Sequence, residues 1–156
     1  AITGHLVLST LHTNDAVSAI VRLEDMGVEP YLVANSLVGV VAQRLVRTIC
    51  PKCKEEVPAK ASDKIAVGED IKKVSIGKGC PYCNNTGYKG RIAVHEIILI
   101  DGTVRRMISR KAEIDEIKEY LNLEHGLETL QDQAVQLVKD GITTVAELNK
   151  IKVYSD

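Results

Sequence analysis

The first apolar run, His5 to Leu11, begins almost at the start of the chain and reads as a buried strand. Gly4 and the polar stretch His12-Thr13-Asn14-Asp15 bound it. Helical spacing follows: Ala16, Ala19, Ile20, Leu23 and Met26 fall on one face. Thr13, Asn14 or Asp15 can cap that helix, and Gly27 can close it. Glu29-Pro30 opens a second helix reaching about Val38, with Pro30 near the first helical position. Val40 to Ile49 mixes apolar residues with Gln43, Arg44 and Arg47, and is read as a second strand. Strand, helix, helix, strand is the rhythm of an α/β layer, so a mostly parallel or mixed sheet is expected.

The pattern then weakens. Residues 60–73 are polar, with room for one short helix near Asp63–Val67. Asn84 to Gly90 is dense in turn formers. Apolar character returns in Arg91 to Ile100, where Ile92, Val94, Ile97, Ile98, Leu99 and Ile100 predict another strand. Residues 50–90 are therefore expected to be an excursion between two strands of one sheet. Beyond residue 101 the spacing is helical. Val104, Met107 and Ile108 make a short element; Ile114, Ile117, Tyr120 and Leu121 make a second. Leu127, Leu130, Ala134, Leu137 and Val138 recur at three and four, and Gly141 stops that helix. A last helix is capped by Thr143 or Thr144, with Glu147 in the capping-box position before Leu148 and Ile151.

The excursion holds the chain's four cysteines, as Cys50-Pro51-Lys52-Cys53 and Cys80-Pro81-Tyr82-Cys83. Two C-x2-C knuckles separated by 26 residues have the spacing of a four-thiolate metal site. Proline pre-sets φ for a turn that aims two thiolates at one ion. Four such ligands leave no open position, so the site is structural. Zinc suits the ligand set; iron is the alternative that four thiolates do not exclude, and two disulfides or four free thiols are the metal-free reading. The residue after a knuckle often needs positive φ, which Asn84 suits better than Lys54.

Composition narrows the classes. The chain has 156 residues, 45% of them apolar, so a core is available. It contains no Phe and no Trp, so that core must be aliphatic. A net charge of −1 argues against bulk binding to nucleic acid. Scattered Lys72, Lys73, Lys78 and Lys89, with few aromatics, do not make a stacking face. No apolar run reaches the roughly 18 residues of a membrane span, and no signal peptide opens the chain. Metal-bound thiols with no targeting signal suggest the cytoplasm. An apolar strand at the extreme start without an initiator Met suggests a piece of a longer protein; a processed small domain is the other reading.

Ser9, Thr10, His12 and Asn14 cluster where the first strand should end. Ligands collect at such ends in open α/β sheets. His12 at that place can bond a γ-phosphate or relay a proton, or can simply be a satisfied polar residue. The chain contains no P-loop of the form G-x4-G-K-[ST] and no H-E-x-x-H.

Thr3-Gly4-His5-Leu6-Val7-Leu8-Ser9-Thr10-Leu11-His12-Thr13-Asn14 resembles the His box of the secretion ATPase superfamily, the hexameric motors of type II secretion and type IV pilus assembly. Arg22-Leu23-Glu24-Asp25-Met26-Gly27-Val28-Glu29-Pro30 and Ala42-Gln43-Arg44-Leu45-Val46-Arg47-Thr48-Ile49-Cys50-Pro51 resemble the family's next segments in order. Cys80-Pro81-Tyr82-Cys83, Gly87-Tyr88-Lys89-Gly90-Arg91 and Val94-His95-Glu96-Ile97 resemble the exit from its tetracysteine motif. Gly141-Ile142-Thr143-Thr144 is similar to its C-terminal helical end. The tetracysteine points to assembly motors rather than retraction motors. The family's Walker A loop, Asp box and Walker B segment are not in this sequence, so the chain resembles the portion after Walker B.

The resemblance implies an α/β fold: a partial RecA-like sheet, a four-cysteine zinc-binding excursion and a C-terminal helical subdomain. The corresponding segments are 1–49 for the core after Walker B, 50–90 for the zinc subdomain, 91–100 for the returning core strand and 101–156 for the helices. It implies a structural Zn2+ held by Cys50, Cys53, Cys80 and Cys83, with ATP and Mg2+ in the full-length protein. It gives His12 a role at the γ-phosphate, with Thr10 and His5 supporting the loop. Arg91 would lie near nucleotide or a neighbouring subunit, as an arginine finger does, or else merely close the metal turn. Arg44 and Arg47 brace the sheet or pair across subunits. The implied setting is a homo-hexamer in the cytoplasm, peripheral to the inner membrane through secretion or pilus platform proteins, with no nucleic acid and no transmembrane segment. The implied reaction is ATP hydrolysis, with this portion inactive alone. A free-standing zinc-binding interaction module and a zinc-ribbon nucleic-acid binder are the rivals.

Overall fold

The computed structural model describes residues 2–153. Residue 1 and residues 154–156, at the ends of the first and last expected segments, lie outside them. Seven helices and four strands are seen among the described residues: α1 Ser18–Asp25, α2 Pro30–Ser36, β1 Gly39–Ile49, β2 Lys54–Pro58, α3 Ala61–Val67, β3 Lys73–Gly77, β4 Tyr88–Leu99, α4 Gly102–Ser109, α5 Ile114–His125, α6 Leu130–Lys139 and α7 Val145–Val153. They fall into two compact units, Ala1–Ala42 with Glu96–Glu128 and Gln43–His95 with Thr129–Asp156. Two of the three divisions lie within β1 and β4, and the third lies between α5 and α6.

In the first unit, α2 packs on α4 and α1 on α2. Val17, Ile20, Val33, Ile98, Val104, Ile108, Ile117 and Leu121 are almost fully buried, so the core is aliphatic, as a sequence without Phe or Trp requires. Pro30 opens α2 at its first position and Gly27 follows α1 with φ +86°, both as expected. Asp101 caps α4 by accepting the Thr103 and Val104 N–H groups at 2.8 Å. Tyr120 and His125 of α5 hold the other oxygen of that carboxylate, at 2.7 and 3.0 Å.

The run at 5–11 is not a strand. Residues 5–10 are exposed and without regular structure, with Leu6 at 83% and Leu8 at 88% of full exposure. A strand forms where neighbours take up its N–H and C=O groups. Among the described residues β1 and β4 pair with each other, β2 pairs with β3, and none pairs with 5–11. The sheets also depart from the mostly parallel or mixed expectation. β2 and β3 are antiparallel, from Lys54 opposite Gly77 to Pro58 opposite Lys73. The Ile100 N–H donates to Val38 C=O at one end of the β1–β4 pair, and the Cys50 N–H to Gly87 C=O at the other, each at 2.9 Å. That order makes the pair antiparallel, with the cysteine segment as the excursion between its strands.

In the second unit, α6 packs on α7, and both touch α3; β3 leans on α6. Val46, Val94, Ala134, Val138 and Leu148 fill this core. Thr129 caps α6 in a capping box with Asp132. Leu127, expected inside that helix, instead follows Gly126 and returns its N–H to Leu121 C=O at 3.3 Å, closing α5. The antiparallel β2–β3 pair, joined through α3, is not expected from the sequence, because its polar edges hide a short apolar alternation around Val57, Val74 and Ile76. No helix among the described residues is long and apolar enough to cross a membrane.

Candidate metal centre

Each knuckle is a tight turn whose backbone closes on itself: Cys53 N–H donates to Cys50 C=O at 3.3 Å, and Cys83 N–H to Cys80 C=O at 3.1 Å. The second turn, Pro81–Cys83, is a single 3-10 turn. Asn84 leaves it in the left-handed region at φ +53°, as the sequence suggested, and Asn85 follows at φ +60°. Lys54 needs no such geometry, because the chain runs straight from the first knuckle into β2.

Two backbone bonds bring the knuckles together, Cys50 N–H to Gly87 C=O at 2.9 Å and Lys78 N–H to Cys53 C=O at 3.1 Å. Gly77 and Gly87 cross in van der Waals contact. A Cβ on Gly77 would lie 2.0 Å from the Gly87 oxygen, and one on Gly87 would lie 2.4 Å from the Gly77 oxygen. Gly87 also has φ +78°. Glycine is required at both places for the loops to meet.

The result is a cluster of four Sγ atoms, all within 4.8 Å of one another. Cys50 and Cys80 are 3.9 Å apart, Cys53 and Cys83 3.8 Å, and Cys80 and Cys83 3.7 Å. A disulfide needs about 2.05 Å, so the thiols are unbridged. A tetrahedron with Zn–S bonds of about 2.3 Å has S···S edges of about 3.8 Å. The observed separations therefore fit a single tetrahedral ion.

The surroundings treat two of the thiols in opposite ways. Burial raises the Cys83 thiol, but N–H donors from Cys80 and Gly87, each 3.3 Å from Sγ, and the neighbouring thiols bring it down to about 6. Burial pushes Cys53 up to about 12; a Gly79 N–H opposes this, and the other three thiols reinforce it. Four thiols in this space cannot all ionise without a cation, and a divalent ion is the group that would relieve them. Around the cluster, Lys52 Nζ lies 4.3 Å and Lys89 Nζ 4.9 Å from the centre of the Tyr82 ring.

Three residues before Cys50, Arg47 ties β1 to α7. Its guanidinium donates to Glu147 Oε1 from Nε at 3.0 Å and Nη2 at 2.8 Å, and its backbone N–H donates to Oε2 at 2.9 Å. The same guanidinium lies 3.9 Å from the centre of the Tyr88 ring. Lys150 Nζ adds a bond to Oε1 at 2.7 Å. Thr143 Oγ1 donates to Arg47 C=O at 2.7 Å, and the Tyr88 and Thr144 hydroxyls are 2.8 Å apart. Thr144 Oγ1 accepts the Glu147 N–H at 3.4 Å, so Thr144 caps α7 as expected. The Glu147 carboxylate, read from sequence as the other half of a capping box, instead binds Arg47. A local pattern cannot reveal a partner 100 positions away. Of the two expected uses of Arg47, bracing the sheet is the one seen within this chain.

The four cysteines are thus brought together. His5, Thr10 and His12 lie on the exposed, irregular segment of the first unit. Arg91 is exposed on β4 in the second.

Comparison with known proteins places this geometry. The model of the family described as "Type II/IV secretion system protein" matches residues 1–150. The chain belongs to that family. It is 40% identical over 154 residues to the type II secretion system ATPase E of Vibrio cholerae, covering 97% of this chain and 30% of that protein. It is 42% identical over 153 residues to the type IV pilus assembly ATPase PilB of Thermus thermophilus, covering 95% of this chain and 17% of that one. Among solved structures, the pilus retraction motor PilT with bound ADP superposes with a TM-score of 0.60 at 19% identity, over 96% of this chain and 33% of that one. That likeness concerns the fold alone. The chain spans less than a third of the length of these two relatives. It matches only part of those proteins, and its own structure has mixed helices, small sheets and a tetracysteine cluster.

Proposed function

We propose that this chain is the C-terminal part of a hexameric ATPase that powers type II secretion or type IV pilus assembly. The observation that carries the reading is the match along nearly the whole chain to secretion and pilus assembly ATPases, joined to a four-thiolate site of tetrahedral dimensions. Residues 1–49 and 91–100 then belong to the nucleotide-binding core, residues 50–90 form a zinc-holding subdomain and residues 101–156 a helical one. The zinc is structural: it would bind Cys50, Cys53, Cys80 and Cys83 and hold the two loops that the backbone bonds already bring together. ATP and Mg2+ bind the full-length subunit elsewhere, through the P-loop that this sequence lacks, so the chain alone does not turn over ATP. The motor works in the cytoplasm against inner-membrane platform proteins and takes no nucleic acid.

Within that motor His12 meets the γ-phosphate, with Thr10 and His5 supporting its loop, and Arg91 stabilises charge at the nucleotide or from a neighbouring subunit. A group that acts only as charge develops lowers kcat when lost and leaves ground-state binding nearly intact. His12→Ala in the full-length subunit is therefore expected to cut turnover at least about tenfold while nucleotide affinity changes by less than about twofold. Arg91→Ala is expected to behave alike and to recover in mixed hexamers whose Walker B-dead subunits keep Arg91. Steady-state ATPase rates and nucleotide titrations decide it. Unchanged turnover in both variants removes them from the site.

A further inference from the structure

We propose that Glu96 is the positioning residue for the segment that carries His12, holding its C-terminal end through a buried carboxylate. The inference rests on the proposed role of His12. The chain changes character abruptly at residue 15. Residues 5–10, His12 and Asn14 are exposed, whereas Ala16 and Val17 are wholly buried. At that step Glu96 Oε1 accepts the Ala16 N–H at 2.7 Å, from a residue 80 positions away on β4. Glu96 itself is 4% exposed. A carboxylate is expensive to bury and is retained where it satisfies a group that nothing else reaches. Ala16 and Val17 begin the first turn of α1: their C=O groups accept the Ala19 and Ile20 N–H groups at 3.2 and 3.0 Å. N–H groups at such an end have no helical partner, and a negative charge there is favourable. Val17 offers no capping side chain; the Ala16 N–H finds its acceptor in the tertiary fold, at Glu96.

The neighbouring bonds complete a fixed point. Asp15 Oδ1 accepts the Ser18 N–H at 2.7 Å, and Asp15 Oδ2 binds Lys118 Nζ of α5 at 2.7 Å. Thr13 Oγ1 donates to Asp15 C=O at 3.0 Å. The Asp15–Lys118 bond ties the start of α1 to α5, and the Asp101–Tyr120–His125 set ties α4 to α5. His12 stands four residues before Ala16, so its Cα lies within about 14 Å of the fixed amide even in a fully extended chain. Releasing that anchor frees the near end of the segment, so that His12 can shift by more than about 1 Å. Misplacement of a reacting group by about 1 Å is enough to lower turnover by about a hundredfold.

The test uses the full-length subunit that contains this chain, with Glu96→Gln, Glu96→Leu and His12→Ala. The amide of Glu96→Gln keeps a carbonyl oxygen for the Ala16 N–H; Glu96→Leu keeps the size and removes the acceptor. Expected are a fall in kcat of about tenfold or more for Glu96→Leu, KM for ATP within about twofold, and recovery of most turnover in Glu96→Gln. Hydrogen exchange at the Ala16 amide should quicken in Glu96→Leu and not in Glu96→Gln. If Glu96→Leu does not fold, Lys118→Met, which releases Asp15, carries the test with the same split of kcat against KM. The proposal is overturned if the folded variants keep wild-type kcat while His12→Ala loses it, or if nucleotide affinity and kcat fall together in both Glu96 variants. Wild-type turnover in His12→Ala overturns instead the reading of His12, and the Ala16 exchange rates then still report whether Glu96 holds the segment.

Discussion

Removing the Glu147 carboxylate is expected to destabilise the second unit by about 2–3 kcal/mol. Burial alone would raise the pKa of this group, but the Arg47 guanidinium, Lys150 and the Arg47 N–H hold it at about 2 in the fold. An unfolded glutamate titrates near about 4.3, and each tenfold in affinity for the proton is worth about 1.4 kcal/mol. The difference amounts to roughly 3 kcal/mol. The lower end of the range reflects Arg47, whose side chain remains 43% exposed and regains water when its partner goes. The sign follows from the depressed value. The contribution is complete above about pH 5 and is lost as pH falls through 4 toward 2. Urea unfolding of wild type, Glu147→Gln and Glu147→Ala, followed by far-UV circular dichroism, measures it. Glu147→Gln should lose about half as much as Glu147→Ala at pH 7, because its amide oxygen still accepts the Arg47 N–H. The gap between wild type and Glu147→Ala should shrink when the titration is repeated near pH 3. Lys150→Ala is the control, at no more than about 0.5 kcal/mol, since its ammonium is 57% exposed. A Glu147→Ala loss no larger than that of Lys150→Ala, or a gap independent of pH, refutes the reasoning.

Purified protein should carry about one zinc per chain by elemental analysis, and chelation should raise hydrogen exchange at the Cys50, Cys83 and Gly87 amides well before Val74 and Ser75, which are buried in β3. Metal-free protein, or knuckle amides that stay protected after chelation, would count against the site. Gly87→Ala should lower zinc occupancy and stability together, by several kcal/mol, because its Cβ would meet the Gly77 backbone and its φ is positive; a variant that binds zinc and unfolds like wild type would show that the crossing yields. Asn84→Gly, which keeps the same backbone region open, should bind zinc as wild type does.

Much of this molecule was legible in the order of its residues, and the reason is locality. The knuckles are four-residue motifs, so Cys50, Cys53, Cys80 and Cys83 announced themselves by spacing and met as expected. The helices around Ile20, Ile117 and Ala134 follow from apolar spacing of three and four; Pro30 opens the one around Val33, Gly27 closes α1 and Thr144 caps α7. Where the outcome depended on a distant partner, the sequence spoke ambiguously. His5 to Leu11 has the composition of a strand and is not one here, because strand formation belongs to the neighbour as much as to the segment. Lys54–Pro58 and Lys73–Gly77 look polar and pair nonetheless, since each supplies the other's hydrogen bonds. Glu147 and Glu96 carry no local mark of their roles. One reaches Arg47 across 100 positions and the other reaches Ala16 across 80. Such contacts are made only when the chain returns on itself, and only there does a buried carboxylate find the donors that make its burial tolerable.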